Sequence, residues 1–178
     1  VYGSGGIGLN IIQAASLSSA WPIIAVDLID SRLELARKFG ATHLINSSKV
    51  DSEKEIYALL DGKANLDVFI DNTGLPEFIE LGYKLTHSNG RVILVGVPKK
   101  GSDICLHSLP LHFGKILVGS HGGDGCPEID IPRYLNLYKH GILNFNGLIS
   151  SRYQLSQINE AIQSIKNGIS SGRVMIDL

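Results

Sequence analysis

Cysteine is nearly absent from this chain. Cys105 and Cys126 are the only two among 178 residues, far apart and outside any C-x-x-C pattern, which excludes a disulfide framework and a cysteine-built zinc site and fits a reducing, cytoplasmic setting. Excess charge is missing as well. With 16 Lys and Arg against 17 Asp and Glu the net charge is -1, so no basic face for nucleic acid is implied. No apolar stretch approaches the roughly 20 residues that span a bilayer, and the N-terminus lacks the charged-then-apolar pattern of a secretory leader. The six histidines show no metal-ligand spacing, since a zinc site needs convergent ligands of the right count. Of these, His121 in the glycine-rich run Gly119-Ser120-His121-Gly122-Gly123 invites a catalytic reading, but a polar loop residue is the simpler one. No repeat or low-complexity tract is visible. The 44% hydrophobic and 19% charged composition is that of a soluble globular protein with one ordinary domain, or one plus an appendage.

What is abundant is glycine in patterned places. The chain opens on Val1-Tyr2-Gly3-Ser4-Gly5-Gly6-Ile7-Gly8, a G-x-G-x-x-G turn, and Asp27 closes the next apolar run. Pro22 to Asp27, His43 to Asn46, Leu66 to Asp71 and Arg91 to Val95 are short and rich in β-branched residues, and Lys115 to Gly119 is a further strand. Their near-continuous apolarity predicts strands buried on both faces, as in a parallel sheet covered by helices. Helical spacing fills the gaps. Gly6 to Ser18 carries Ile7, Ile11 and Ala15 on one stripe, and Ser31 to Phe39 opens on a capping box of Ser31 and Glu34 and stops at Gly40. Ser52 to Leu60 and Pro76 to Leu85 are the next crossovers. The expectation is an α/β Rossmann fold, a doubly wound parallel sheet of order 3-2-1-4-5-6 counting Val1-Tyr2 as a truncated first strand. This domain would span residues 1–121. Residues 122–178 form a C-terminal α/β tail: a helix from about Ile131 to His140, an extended segment near Leu148 to Tyr153, a helix led by Ser156 with Ile158, Ala161, Ile162 and Ile165 on one stripe, and a strand from Arg173 to Leu178. The tail has too few apolar positions for a core of its own, so it is expected to pack on something else.

The glycine turn has a physical logic. Gly3 permits the tight strand-to-helix turn, Gly5 lets the backbone approach a pyrophosphate, Gly8 lets the helix sit close to the sheet, and Gly6 and Ile7 lie in the same first turn. The phosphates would meet free amides and the positive end of the helix dipole. Asp27 at the end of the second strand can accept from ribose hydroxyls, selecting NAD over NADP. A charge-assisted hydrogen bond of about 1.5 to 3 kcal/mol corresponds to roughly ten- to hundredfold. An Asp that merely caps the following turn is the competing reading. Arg32 is either a second ribose contact or a solvent-exposed helix residue. Ligands in such folds bind where strand order reverses, between the turns Asp71-Asn72-Thr73-Gly74 and Val95-Gly96-Val97-Pro98. Gly74 and Gly96 there allow close approach of adenosine ribose and nicotinamide, or serve turn chemistry alone.

These motifs, with Ala36-Arg37-Lys38-Phe39-Gly40-Ala41-Thr42 and Gly172-Arg173-Val174, resemble the cofactor half of medium-chain, zinc-type alcohol dehydrogenases. The likeness spans nearly the whole chain. It implies that Asn72 and Thr73 lie in the adenosine-side turn, with Thr73 in contact there, that Val95 and Val97 line the nicotinamide, and that Arg173 reaches the pyrophosphate, although a surface strand-end Arg is the plainer alternative. It implies NAD as cofactor, hydride transfer to or from a small alcohol, and a homo-oligomer paired through the edge strand near Lys115 to Gly119. The family's zinc ligands have no counterpart here. The zinc site and the catalytic half are therefore expected upstream of Val1, no catalytic or metal residue is assigned, and this portion alone would bind NADH without turnover. A zinc-free quinone reductase, which usually favours NADPH, and a non-catalytic nucleotide-sensing or assembly module are the alternatives. A methyltransferase fits the glycine spacing less well.

Overall fold

The computed structural model describes residues 1–178. Helix α1 (Gly6–Leu17) leads to strand β1 (Ile24–Asp27), and the alternation continues through α2 (Asp30–Lys38), β2 (His43–Asn46), α3 (Ser52–Leu59), β3 (Leu66–Asp71), α4 (Pro76–Leu85), β4 (Thr86–Leu94) and β5 (Ile116–Gly119). After β5 come α5 (Pro127–Lys139), β6 (Ile149–Gln154), α6 (Ile158–Lys166) and β7 (Arg173–Asp177). Every strand pair is parallel: β1 with β2, β3 with β4, β4 with β5, and, apart from these, β6 with β7. This is the mixed α/β class with parallel sheets that buried apolar runs and intervening helices dictate.

Two ladders meet at the start of the chain. Tyr2 makes isolated parallel bridges to both Val26 of β1 and Asp71 of β3. Four main-chain bonds make this junction: Tyr2 N to Ile70 O, Gly3 N to Val26 O, Val26 N to Val1 O and Asn72 N to Tyr2 O, each 2.9 Å. Strand β1 is buried at all four positions, and its alternation serves two cores. Ile24 and Val26 join Tyr2, Ile45, Ile56, Phe69 and Val92 in one cluster, while Ala25 joins Leu9, Ile12, Leu33, Ala36 and Phe39 in the other. A strand's side chains alternate between faces, so helices cover both.

The sequence and the structure differ at definite places. The buried face of α1 is Gly8, Leu9, Ile12 and Gln13 rather than Ile7, Ile11 and Ala15, and Ile7 is half exposed. Gly8 is pressed against the Gly3 carbonyl oxygen, and that contact fixes the helix's rotation. No capping box forms at α2. The helix starts at Asp30, which places Ser31 inside it, and Ile29 is the N-cap without a side-chain bond. The Ile29 amide instead donates to Asp27 Oδ1 at 3.1 Å. Strand β4 is longer than Arg91 to Val95, with an irregularity opposite Leu66 to Val68, and Val95 has left it to donate to the Asp71 carbonyl. Helix α5 begins at Pro127, four residues before Ile131, because proline suits a first helical turn. In α6 the buried residues are the small Ala161 and Ser164, whereas Ile162 and Ile165 are about half exposed.

The tail has little apolar anchorage. Helix α5 buries no residue, and polar bonds hold the segment instead. Gln13 Nε2 donates to the Asn144 carbonyl at 3.2 Å and Gln13 Oε1 accepts from the Asn144 amide at 2.6 Å. One buried cation braces the opposite side: Lys115 Nζ donates to the carbonyls of Tyr83 and Thr86 at 2.5 and 2.7 Å, at the end of α4, and lies 4.3 Å from the Tyr83 ring centre. No helix is long and apolar enough to cross a membrane.

Candidate functional site

The turn from Tyr2 into α1 is built around a carbonyl and a carboxylate. A Cβ on Gly8 would lie 2.0 Å from the Gly3 carbonyl oxygen, so only glycine lets the helix start there. Gly3 itself has φ +88°, a conformation that costs glycine least. A Cβ on Gly5 meets nothing within 4 Å; that side of the turn is open. The first hydrogen bond of the helix region runs from Leu9 N to Gly5 O, leaving the amides of the first turn without helical partners, as at every helix start. An open side, free amides and a positive dipole end are what an anionic group requires.

Asp27 closes the adjoining wall. It is only 7% exposed, and each carboxylate oxygen accepts one main-chain amide, Oδ2 from Ser4 at 2.8 Å and Oδ1 from Ile29 at 3.1 Å. Arg32 Nη1 stands 3.7 Å from Oδ1. On the far side, fully buried Asp71 organises the turn after β3: Oδ1 accepts from the amide and hydroxyl of Thr73 and Oδ2 from the Gly74 amide. Its main-chain oxygen accepts from Val95 and Gly96. The two strand-end turns are thereby locked together. Asn72 Nδ2 donates to Gly3 O at 3.1 Å, and its Oδ1 is buried without a partner.

These turns enclose a cleft of about 580 Å³. Of the residues singled out from sequence, Gly3, Gly5, Gly6, Ile7, Gly8, Asp27, Arg32, Asn72, Thr73, Val95, Gly96, Val97 and Arg173 line it. Gly74 does not. It sits behind the wall with φ +70°, where a Cβ would lie 2.6 Å from the Val97 carbonyl oxygen. The Thr73 hydroxyl is committed to Asp71 and to the Leu75 amide. Arg173 lies across Gly6, its Cδ and Nε 2.6 Å from where a Cβ would be. Sequence reasoning missed Tyr2, Val26, Leu28, Ser47, Leu75 and Phe78, which also line the cleft. Leu28 and Ser47 directly follow β1 and β2, and the rule that ligands gather at the carboxyl ends of strands could have found them. The Tyr2 and Phe78 rings pack in a tilted arrangement with centres 4.7 Å apart, and burial pushes the Tyr2 hydroxyl's pKa above its ordinary value. No three His, Cys, Asp or Glu side chains converge as a metal-binding set, and His121 stands exposed before the turn Gly122–Asp124.

Residues 6–139 match the family model described as zinc-binding dehydrogenase. The chain belongs to the zinc-binding dehydrogenase family. The chain is 29% identical to the class-3 alcohol dehydrogenase of Cereibacter sphaeroides over 99% of its own length and 49% of that protein. The crystal structure of benzyl alcohol dehydrogenase from Acinetobacter calcoaceticus matches 99% of it with a TM-score of 0.87 and 34% identity, covering 48% of that chain. A zinc-binding dehydrogenase from Sinorhizobium meliloti 1021, bound to NADP, matches 90% with a TM-score of 0.78 and 25% identity, covering 46% of that chain. The chain thus spans about half the length of the relatives it matches.

Proposed function

We propose that this chain is the NAD(H)-holding part of a zinc-dependent alcohol or polyol dehydrogenase of the cytoplasm, acting on a small alcohol. The observation that supports this reading best is Asp27. A buried carboxylate at the carboxyl end of β1, held by the Ser4 and Ile29 amides, keeps lone pairs for the hydroxyls of an adenosine ribose and repels a 2′-phosphate. The glycine turn fits the pyrophosphate, because its open side at Gly5 coincides with the free amides of α1. Arg173 makes no hydrogen bond or ion pair with its guanidinium within the chain, which suits a counter-charge for the pyrophosphate. Val95 and Val97 form the wall on which the nicotinamide rests. Bound NAD would supply the hydride acceptor; this chain's residues bind it, orient it and shield one face. Zinc would be held by residues outside 1–178. The β5 edge, with Ile116 and Val118 exposed, suits pairing with a second copy.

Fluorescence titration with NADH, NADPH and S-adenosylmethionine tests the reading. NADH is expected to bind most tightly, and Asp27→Ala to reduce its advantage over NADPH by roughly tenfold or more. Tighter binding of NADPH to the unaltered chain would count against the assignment.

A further inference from the structure

Arg32 ties the cleft to a segment 138 positions away. Its Nε and Nη2 both donate to the Ser170 carbonyl, at 3.3 and 3.2 Å, while Nη1 faces Asp27 Oδ1 at 3.7 Å. Both usable edges of the guanidinium are therefore engaged. A phosphate is grasped by arginine through two parallel N–H groups on one edge. Here the Nε–Nη2 edge is taken by a main-chain oxygen, and the other edge opens towards a carboxylate that repels an incoming dianion. A ribose hydroxyl needs no such edge, since Asp27 accepts from it directly.

The tail's own fold sets the position of the Ser170 carbonyl. Ser170 is 4% exposed, and its hydroxyl bonds that of Ser150 on β6 at 2.7 Å. Upstream, Gly168 takes φ +67° at the end of α6, and a Cβ there would meet Ile29 Cδ1 at 2.8 Å. The Ile169 amide donates to Ser164 O at 3.0 Å, and the Arg173 amide donates to Leu148 O at 2.6 Å. Helix α6 and strand β6 thus place this oxygen where Arg32 finds it.

We propose that Ser170 is a specificity-determining residue: its carbonyl occupies Arg32 and so keeps the cleft from grasping the 2′-phosphate of NADP(H). The inference rests on the dinucleotide reading of the cleft given above. It makes cofactor choice depend on the docked tail as well as on Asp27.

The test measures dissociation constants for NADH and NADPH on the full chain. Asp27→Asn, which removes the charge and leaves one acceptor oxygen, is expected to raise the NADPH preference roughly tenfold. Adding Gly168→Val, which displaces the 168–170 segment, is expected to raise it by roughly a further tenfold, and adding Arg32→Ala to cancel that second gain. Ser150→Ala in the Asp27→Asn background removes the hydroxyl bond that anchors Ser170, loosens the 168–170 segment without adding bulk, and is expected to move the ratio the same way by roughly two- to threefold. An unchanged ratio in both tail variants, or a second gain that survives Arg32→Ala, would overturn the proposal. If the unaltered chain binds neither dinucleotide, the reading of the cleft itself falls and takes this proposal with it, an outcome seen before any substitution is made.

Discussion

A Cβ on Gly8 would stand 2.0 Å from the Gly3 carbonyl oxygen, whereas one on Gly5 would meet nothing within 4 Å. Two alanine substitutions three residues apart should therefore behave differently. Gly8→Ala forces α1 away from the sheet and is expected to cost about 1 to 3 kcal/mol, as overpacking does, together with NADH affinity; thermal denaturation and titration read both. Gly5→Ala leaves stability within about 0.5 kcal/mol but places a methyl group in the cleft, so affinity alone falls. The glycines were legible because their spacing is local. The roles of Asp27 and Asp71 were only half legible. Their places at strand ends follow from the apolar runs, but the Ser4 amide that Asp27 accepts belongs to a turn 23 residues away, and no local pattern announces it.

Helices and strands show the same division between local and distant causes. The strands could be read from their short apolar runs, although only β1 is buried at every position while β3 and β5 leave Val68, Ile116 and Val118 exposed, and α4 because Pro76 opens it. The rotation of α1 could not, because a backbone contact at Gly8 overrides the side-chain stripe. Lys115 was equally hidden, since a lysine before an edge strand suggests a solvated end rather than a brace for α4. Lys115→Met is expected to cost about 2 kcal/mol, because two carbonyls at the end of that helix lose their donor; urea denaturation measures it. Burial pushes the lysine's pKa below its ordinary value, so the unfolded chain binds the proton more readily. Stability should then rise as the pH climbs towards that value, a slope the methionine variant would lose. Gln13→Leu removes the paired bonds to Asn144 and should free the tail, read as faster amide exchange in β6 and β7 with α1 to α4 unchanged.

Across the whole molecule, apolar surface is unevenly placed. Ile131, Tyr134, Leu135 and Tyr138 share one face of α5 by their helical spacing and are each about half exposed, an apolar stripe rather than scattered surface residues. Replacing Ile131 and Tyr134 with lysine is expected to lower dye binding and self-association in light scattering while leaving the NADH dissociation constant unchanged. The polar bonds that fasten the tail did not show in the sequence, because each joins residues more than a hundred positions apart. The junction at Tyr2 has a consequence for how the protein assembles. The β1–β2 and β3–β5 ladders each close with neighbouring partners and share a core, but the main-chain seam between them is only the few bonds of Val1 to Asn72. Contacts of such long sequence separation form late, and the glycine turn begins where that seam ends. Competence to bind NADH should therefore return with the slowest refolding phase, after helical signal has already recovered, so the cofactor would act as a probe of whether the two ladders have been joined.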